Sequence, residues 1–397
     1  MKSRNWLIES VLACSIISLP ACGLVGAQTP TKAAAIALTD GQDAAHWQAM
    51  AQQAGWQTIV PGGASTDPID TRVLAVAAAV RAAIQNGGVD PARVYLAGRA
   101  NSAAAVFYTM SRLPDLFAAG IAIGGSPQAA LATGRIYAVN LSNAPVLWIT
   151  DNDDDGATAQ KLKAAGMWLE WRPASRMKNA DVFAWLGAHL RDPYPLDVDC
   201  ETDSSSFVSC FWLTLGKFDF NERNDVLPRT LIATATPAGL DLGAFGYRLE
   251  DPGPGVLVSH LPEKYSGPLK LGDRIIELNG QPIADAHEFQ SLMSKATAEA
   301  HTAVMIQRGK QRLRVETRIL VPHLDFVPTA RVQGKYDPGQ NQILIISRGV
   351  TEMRVRIPDA WVGASLFWNG LPLEKIDKPG CVLLAIDKEL LHTGACQ

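Results

Sequence analysis

Short, continuous apolar runs separated by amphipathic stretches dominate the first half of the chain. The runs AAAIALT (33–39), QTIVPG (57–62), RVYLAG (93–98), GIAIGG (120–125), PVLWIT (145–150) and MWLEWRP (167–173) read as strands. Helical spacing occupies 43–54, 68–86, the stretch from Asn101, 157–165 and 179–191. Strands that are apolar on both faces, with helices interposed, predict a doubly wound parallel sheet over 33–192. The pattern breaks at RDPYPLDVDC, which carries two prolines. Residues 193–235 then alternate around FVSCFWLTLGKFDF and predict a β-rich connector. Residues 236–322 form a third unit of α+β character. The tail, 323–397, is all β, with QILIISR, EMRVRIP, ASLFW, LEKI and CVLLAI as short strands and Asn369-Gly370 as a hairpin turn. Its aromatic residues Trp361, Phe367 and Trp368 read as core, with sugar stacking as the functional alternative.

Length and charge narrow the class. The 397 residues suffice for several domains, and 47% are hydrophobic. A net charge of −3 leaves no footprint for nucleic acid. The first 27 residues have the three-part pattern of a secretory signal: Lys2 and Arg4, an apolar stretch, then small residues up to Val25-Gly26-Ala27. An earlier exit after residue 21 would leave Cys22, in Leu19-Pro20-Ala21-Cys22, as a lipidation candidate that anchors the chain to a membrane. Export, to the periplasm or outside the cell, is therefore expected. Cys200, Cys210, Cys381 and Cys396 then remain. Four cysteines allow three pairings; Cys200–Cys210 and Cys381–Cys396 are preferred because each is local. Zinc-ligand spacing is missing, and neither a metal nor a cofactor is expected.

Candidate chemistry centres on VYLAGRANSAAAV, where a strand enters a glycine and a small-residue helix leaves it. A serine hydrolase presents its nucleophile there as Gly-x-Ser-x-Gly. Here the five places read Gly98-Arg99-Ala100-Asn101-Ser102. Together with PDLFAAGIAIGG downstream and ALTDGQDAAHWQAMAQQAGW upstream, this region resembles the α/β-hydrolase fold, especially small secreted esterases and depolymerases. The resemblance places the nucleophile at Ala100, which has no nucleophilic atom, and the orienting acid at Asp154. It places the histidine within RPASRMKNADVFAW, which contains none; His189 comes too late. Ser102 replaces the last glycine and is expected to cap the helix or pack. Asp151, Asp153, Asp155 and Gly156 are similar to the start of a calcium loop, but Leu162 stands where the closing glutamate belongs, so a solvated helix-capping loop is expected instead.

The third unit carries GAFGYRLE, PLKLGDRIIELNGQPI, ADAHEFQSLMSKA and AVMIQRG. These resemble, in order, the carboxylate-binding loop, the strand–turn–strand, the groove helix and the last core strand of a PDZ domain. The resemblance implies that a peptide or protein C-terminus, or an exposed strand, adds beside Arg248 and Leu249. It implies that amides around Ala244, Phe245, Gly246 and Tyr247 face a terminal carboxylate, with Gly246 admitting its approach. Phe245 and Tyr247 would wall the pocket, and His287 would read a penultimate hydroxyl.

Two function classes follow. The missing nucleophile and histidine favour an exported, non-catalytic pseudo-hydrolase that binds a peptide or protein segment through the PDZ groove. The alternative is a secreted esterase or peptidase of the hydrolase fold, with the PDZ unit handling substrate.

Overall fold

The computed structural model describes residues 32–397 except 65, 233–238, 296–298, 321–326, 374, 388–389 and 397. The signal region and Cys22 lie outside the described residues. No helix among the described residues is long and apolar enough to cross a membrane.

The α/β unit runs β1 (Ala33–Leu38), α1 (Ala44–Gln53), β2 (Gln57–Ile59), α2 (Ile69–Gln85), β3 (Val89–Arg99), α3 (Ala103–Arg112), β4 (Ala119–Ile123), α4 (Gln128–Leu131), β5 (Val146–Ile149), α5 (Asp153–Ala164), β6 (Leu169–Arg172) and α6 (Asn179–Gly187). Its six strands are parallel, in the order β2-β1-β3-β4-β5-β6. Alternate residues of each strand face opposite helical layers. Ala35, Leu96 and Trp148 pack with α2, α3 and α5, whereas Ile36, Tyr95 and Leu147 pack with α1 and α6. Burial on both faces explains why β1, β4 and β5 are apolar at every position, whereas the edge strands β2 and β6 carry Gln57, Glu170 and Arg172.

Residues 193–235 do not form a separate connector. They supply β7 (Asp197–Thr202), β8 (Ser209–Cys210) and β9 (Leu213–Phe218). The PDZ-like unit follows: β10 (Gly239–Leu240), β11 (Val256–Leu257), β12 (Arg274–Leu278), β13 (Gln281–Pro282), α7 (Ala286–Lys295), β14 (Glu299–Arg308) and β15 (Gln311–Leu320). The C-terminal strands are β16 (Ala330–Asp337), β17 (Gln342–Arg348), β18 (Val350–Ile357), β19 (Ser365–Trp368), β20 (Leu371–Leu373), β21 (Gly380–Asp387) and β22 (Leu390–Ala395). β7 pairs with β16, and β9 pairs with β18. The result is two five-stranded sheets, β20-β19-β17-β16-β7 and β22-β21-β18-β9-β8, closed over one core. The PDZ-like unit is thus inserted between two strands of a β-sandwich. Its ends meet where β10 pairs with β15, Gly239 opposite Leu320. Local alternation announces each strand but not a partner more than a hundred residues away, so along the chain β7, β8 and β9 look like a connector.

Both local disulfides are present. Cys200–Cys210 ties β7 to β8 across the two sheets, and Cys381–Cys396 ties β21 to the chain end. Trp361 and Trp368 are buried in the sandwich core, Trp361 edge-on to Trp212 at 5.1 Å, so neither offers a sugar-stacking face. Asn369 and Gly370 both take positive φ, as a two-residue hairpin between β19 and β20 requires.

Polar contacts buried at the junction join the α/β unit to the sandwich. Asp203, just after β7, receives Arg112 at 2.6 Å and a two-pronged contact from Arg135 at 2.6 and 2.9 Å. The amide of Asn140 brackets the backbone of Glu201, donating to its carbonyl and accepting from its N–H. The Glu201 carboxylate is fully enclosed and receives Thr230, Thr329 and Arg348.

Candidate functional site

The elbow keeps its backbone form without its nucleophile. β3 ends at Arg99 in extended conformation, and Ala100 turns to φ +49°, a left-handed value that a β-carbon resists. Glycines make the turn fit. A Cβ on Gly98 would stand 2.4 Å from the carbonyl oxygen of Ser102, and one on Gly125 would stand 2.2 Å from that of Ala100. Ala100 is exposed, so the turn presents a methyl group and no oxygen at that position.

Ser102 does not take over that role. It is buried and caps nothing; its hydroxyl donates to Oδ2 of Asp40, in the loop after β1. A carboxylate is a far weaker base than imidazole toward a hydroxyl, and the serine lies behind the turn. Of the two expected roles, capping and packing, it takes the second: its backbone is already helical at φ −86°, and its oxygen accepts no helix N–H. His189 is committed elsewhere: Nδ1 lies 2.9 Å from the carbonyl of Trp185, and the ring rests on the Trp185 indole at 4.4 Å.

The acidic segment also departs from a triad. Asp151 reaches the loop where the family's histidine would stand and accepts the backbone N–H of Ser175 at 3.0 Å. Asp155 is buried and accepts the Thr150 hydroxyl at 2.9 Å. Asp154 lies within α5, and its side chain is outside the described residues. Helix α5 begins at Asp153, so the segment is not the open twelve-residue loop that calcium needs. Among the described residues no group of three metal-ligating side chains converges.

The second site is the groove of the inserted unit. A cavity of about 460 Å³ is walled by Ala244, Phe245 and Tyr247 from the loop after β10, by Phe289 and Met293 of α7, and by Leu320. The Tyr247 and Phe289 rings meet edge-on at 5.7 Å, and Phe245 stands 6.2 Å from Tyr247. Burial pushes the Tyr247 hydroxyl above its ordinary range, so the wall stays uncharged.

Other groove residues sit differently from the sequence reading. Gly246 donates its N–H to the carbonyl of His260 at 2.8 Å, which takes that amide away from a ligand. A Cβ at Gly246 would stand 3.0 Å from the Cβ of His260, so a side chain there would press on its neighbour behind the loop. Arg248 is exposed, and Leu249 lies in a turn, half-buried against the unit's core. His287 is exposed. It precedes Phe289 by two helical positions, about 200° around the helix, and so lies off the groove face. Phe289 and Met293, four residues apart, were legible as a helical apolar pair, but no motif marks them.

The parallel sheet, the elbow and the inserted groove define the class: a doubly wound α/β unit without a serine at its elbow, combined with an inserted α+β unit that carries an apolar groove. Residues 243–319 match the family model of the PDZ domain. The chain is similar to solved esterase structures over 40% of its own length. A thermostable esterase aligns at 16% identity and TM-score 0.31, with 56% of that chain covered. Esterase PE8 aligns at 17% and 0.28 with 93% covered. A variant of Arabidopsis thaliana SOBER1 aligns at 16% and 0.26 with 98% covered. The chain thus spans little more than half the length of the thermostable esterase. No curated protein matches in sequence.

Proposed function

We propose that this is an exported, non-catalytic pseudo-hydrolase that holds a peptide or protein segment in its PDZ groove. The carrying observation is the elbow: a methyl group at Ala100, at φ +49° in a turn that Gly98 and Gly125 make room for by lacking a β-carbon. A covalent acyl route needs a nucleophile, a base and an orienter acting as a unit. Here the nucleophile place holds Ala100 and no histidine lies in the stretch from Arg172 to Trp185, so Asp154, the acid of the resemblance, has nothing to orient. The groove supports the binding half of the reading, because it offers an apolar pocket with aromatic walls. Two disulfides support an oxidising location.

The test pairs two measurements on the exported chain. A fluorophosphonate probe is expected to leave the protein unlabelled. A library of C-terminal peptides is expected to yield binders by fluorescence polarisation, with affinity lost at least tenfold in Gly246→Asp. Labelling that disappears with Ser102→Ala would favour the hydrolase reading instead.

A further inference from the structure

A second cavity, of about 290 Å³, opens at the carboxyl ends of β1 and β2, beside the place where the strand order reverses between β1 and β3. Ligands of open α/β sheets collect at such reversals. Its walls are Thr39, Asp40 and Gln42 after β1, the loop from Pro61 to Ala64 after β2, and Arg72 of α2.

Two wall residues are unusual together. The half-buried guanidinium of Arg72 has no hydrogen-bond partner and no ion pair among the described residues, and its Nε is shut off from solvent. Buried donors without acceptors are rare because each forfeits its hydration. Across the same cavity stands Asp40, which the backbone N–H of Gln42 (3.0 Å) and the Ser102 hydroxyl hold in place. No ion pair joins Arg72 to Asp40 among the described residues, so the opposite charges face one cavity without neutralising each other.

We propose that this cavity binds a small zwitterion of free amino-acid size, its carboxylate on Arg72 and its ammonium on Asp40. A simple anion would meet Asp40, and a simple cation would meet Arg72; only a ligand carrying both charges satisfies both walls. The volume equals that of roughly ten waters, which suits a ligand of about that many heavy atoms. Ser102 is then a positioning residue that holds the Asp40 carboxylate, which gives this buried hydroxyl a role without catalysis.

The experiment is isothermal titration of the full exported chain with L-alanine, L-serine and L-leucine, and with their N-acetyl and carboxamide forms. At least one free amino acid should bind with Kd below about 1 mM, and both blocked forms of it should bind about tenfold more weakly or worse. Arg72→Met and Asp40→Asn should each lose about tenfold, while Arg72→Lys, which keeps the charge, should retain part of the affinity. Equal binding of the N-acetyl form, or no binding of any free amino acid up to about 10 mM, overturns the proposal. Unchanged affinity in Arg72→Met overturns it as well. Thermal unfolding of each variant separates a lost site from a lost fold. Peptide binding at the groove and probe labelling report on the proposed function separately from this cavity.

Discussion

Ala100 holds φ +49°, a conformation that costs a residue with a β-carbon about 1–2 kcal/mol. The turn fits because Gly98 and Gly125 carry no β-carbon, which would stand within 2.4 Å of the carbonyl oxygens of Ser102 and Ala100 respectively. Replacing Ala100 with glycine removes the clash and returns some unfolded-state entropy, so the net expectation is a gain of up to about 1 kcal/mol in urea unfolding. Ala100→Ser restores the missing oxygen but supplies neither base nor orienter. Ester hydrolysis by that variant is expected to stay at the background of the parent in a p-nitrophenyl acetate assay; turnover clearly above it would contradict the proposed function.

Among the elements, α3 shows how packing overrides local pattern. Its last three residues include Ser111 and Arg112, yet both are buried. The segment between β7 and β8 covers Arg112, which lies over the Phe207 ring at 4.4 Å and pairs with Asp203, while Ser111 accepts the backbone N–H of Tyr137 within the α/β unit. A helix covered on all sides belongs to an interior, and here the interior is made by a second unit. The link between β7 and β8 acts at the same scale. Cys200–Cys210 closes a loop with a sequence separation of 10. Cys200→Ala with Cys210→Ala is expected to destabilise the sandwich by about 3 kcal/mol, read as a lower midpoint in guanidinium unfolding. No change in the midpoint would mean that the reduced sandwich loses no restraint.

For the whole molecule, the decisive group is Asp203. Burial raises its carboxyl, but the hydrogen bonds and charges of Arg135 and Arg112 outweigh that and hold it at about 2. The folded value is below the unfolded one, 3.8. Its contribution, about 2 kcal/mol, is therefore complete above about pH 4 and is lost as pH falls toward 2. Acid titration should separate the α/β unit from the sandwich in that window, followed by near-ultraviolet circular dichroism. Asp203→Asn should unfold without a transition in that window and cost about 3–5 kcal/mol at neutral pH, because two guanidinium groups lose their shared partner. The inserted unit has a core of its own, drawn from residues between 240 and 319, and that core contains none of the residues that join the other two units. Its signal should persist through the acid step.

Much of this protein is written locally. Continuous apolar runs dictate a sheet buried on both faces, because no polar residue can sit there without cost. Asn369-Gly370 dictates a turn, the PDZ motifs dictate their unit, and Ala100 dictates that the elbow has no attacking oxygen. Other features exist only once distant segments meet. The strands after Pro195 belong with strands beyond 330, and the inserted unit hides that partnership from any reading along the chain. The amide of Gly246 is spent on His260, Ser102 is turned to Asp40, and Arg72 is left facing a cavity without a side-chain partner among the described residues. Side-chain type and spacing fix which face a residue presents. Which atoms stand opposite that face is fixed by pairing and packing between remote segments, for which the local sequence carries no period.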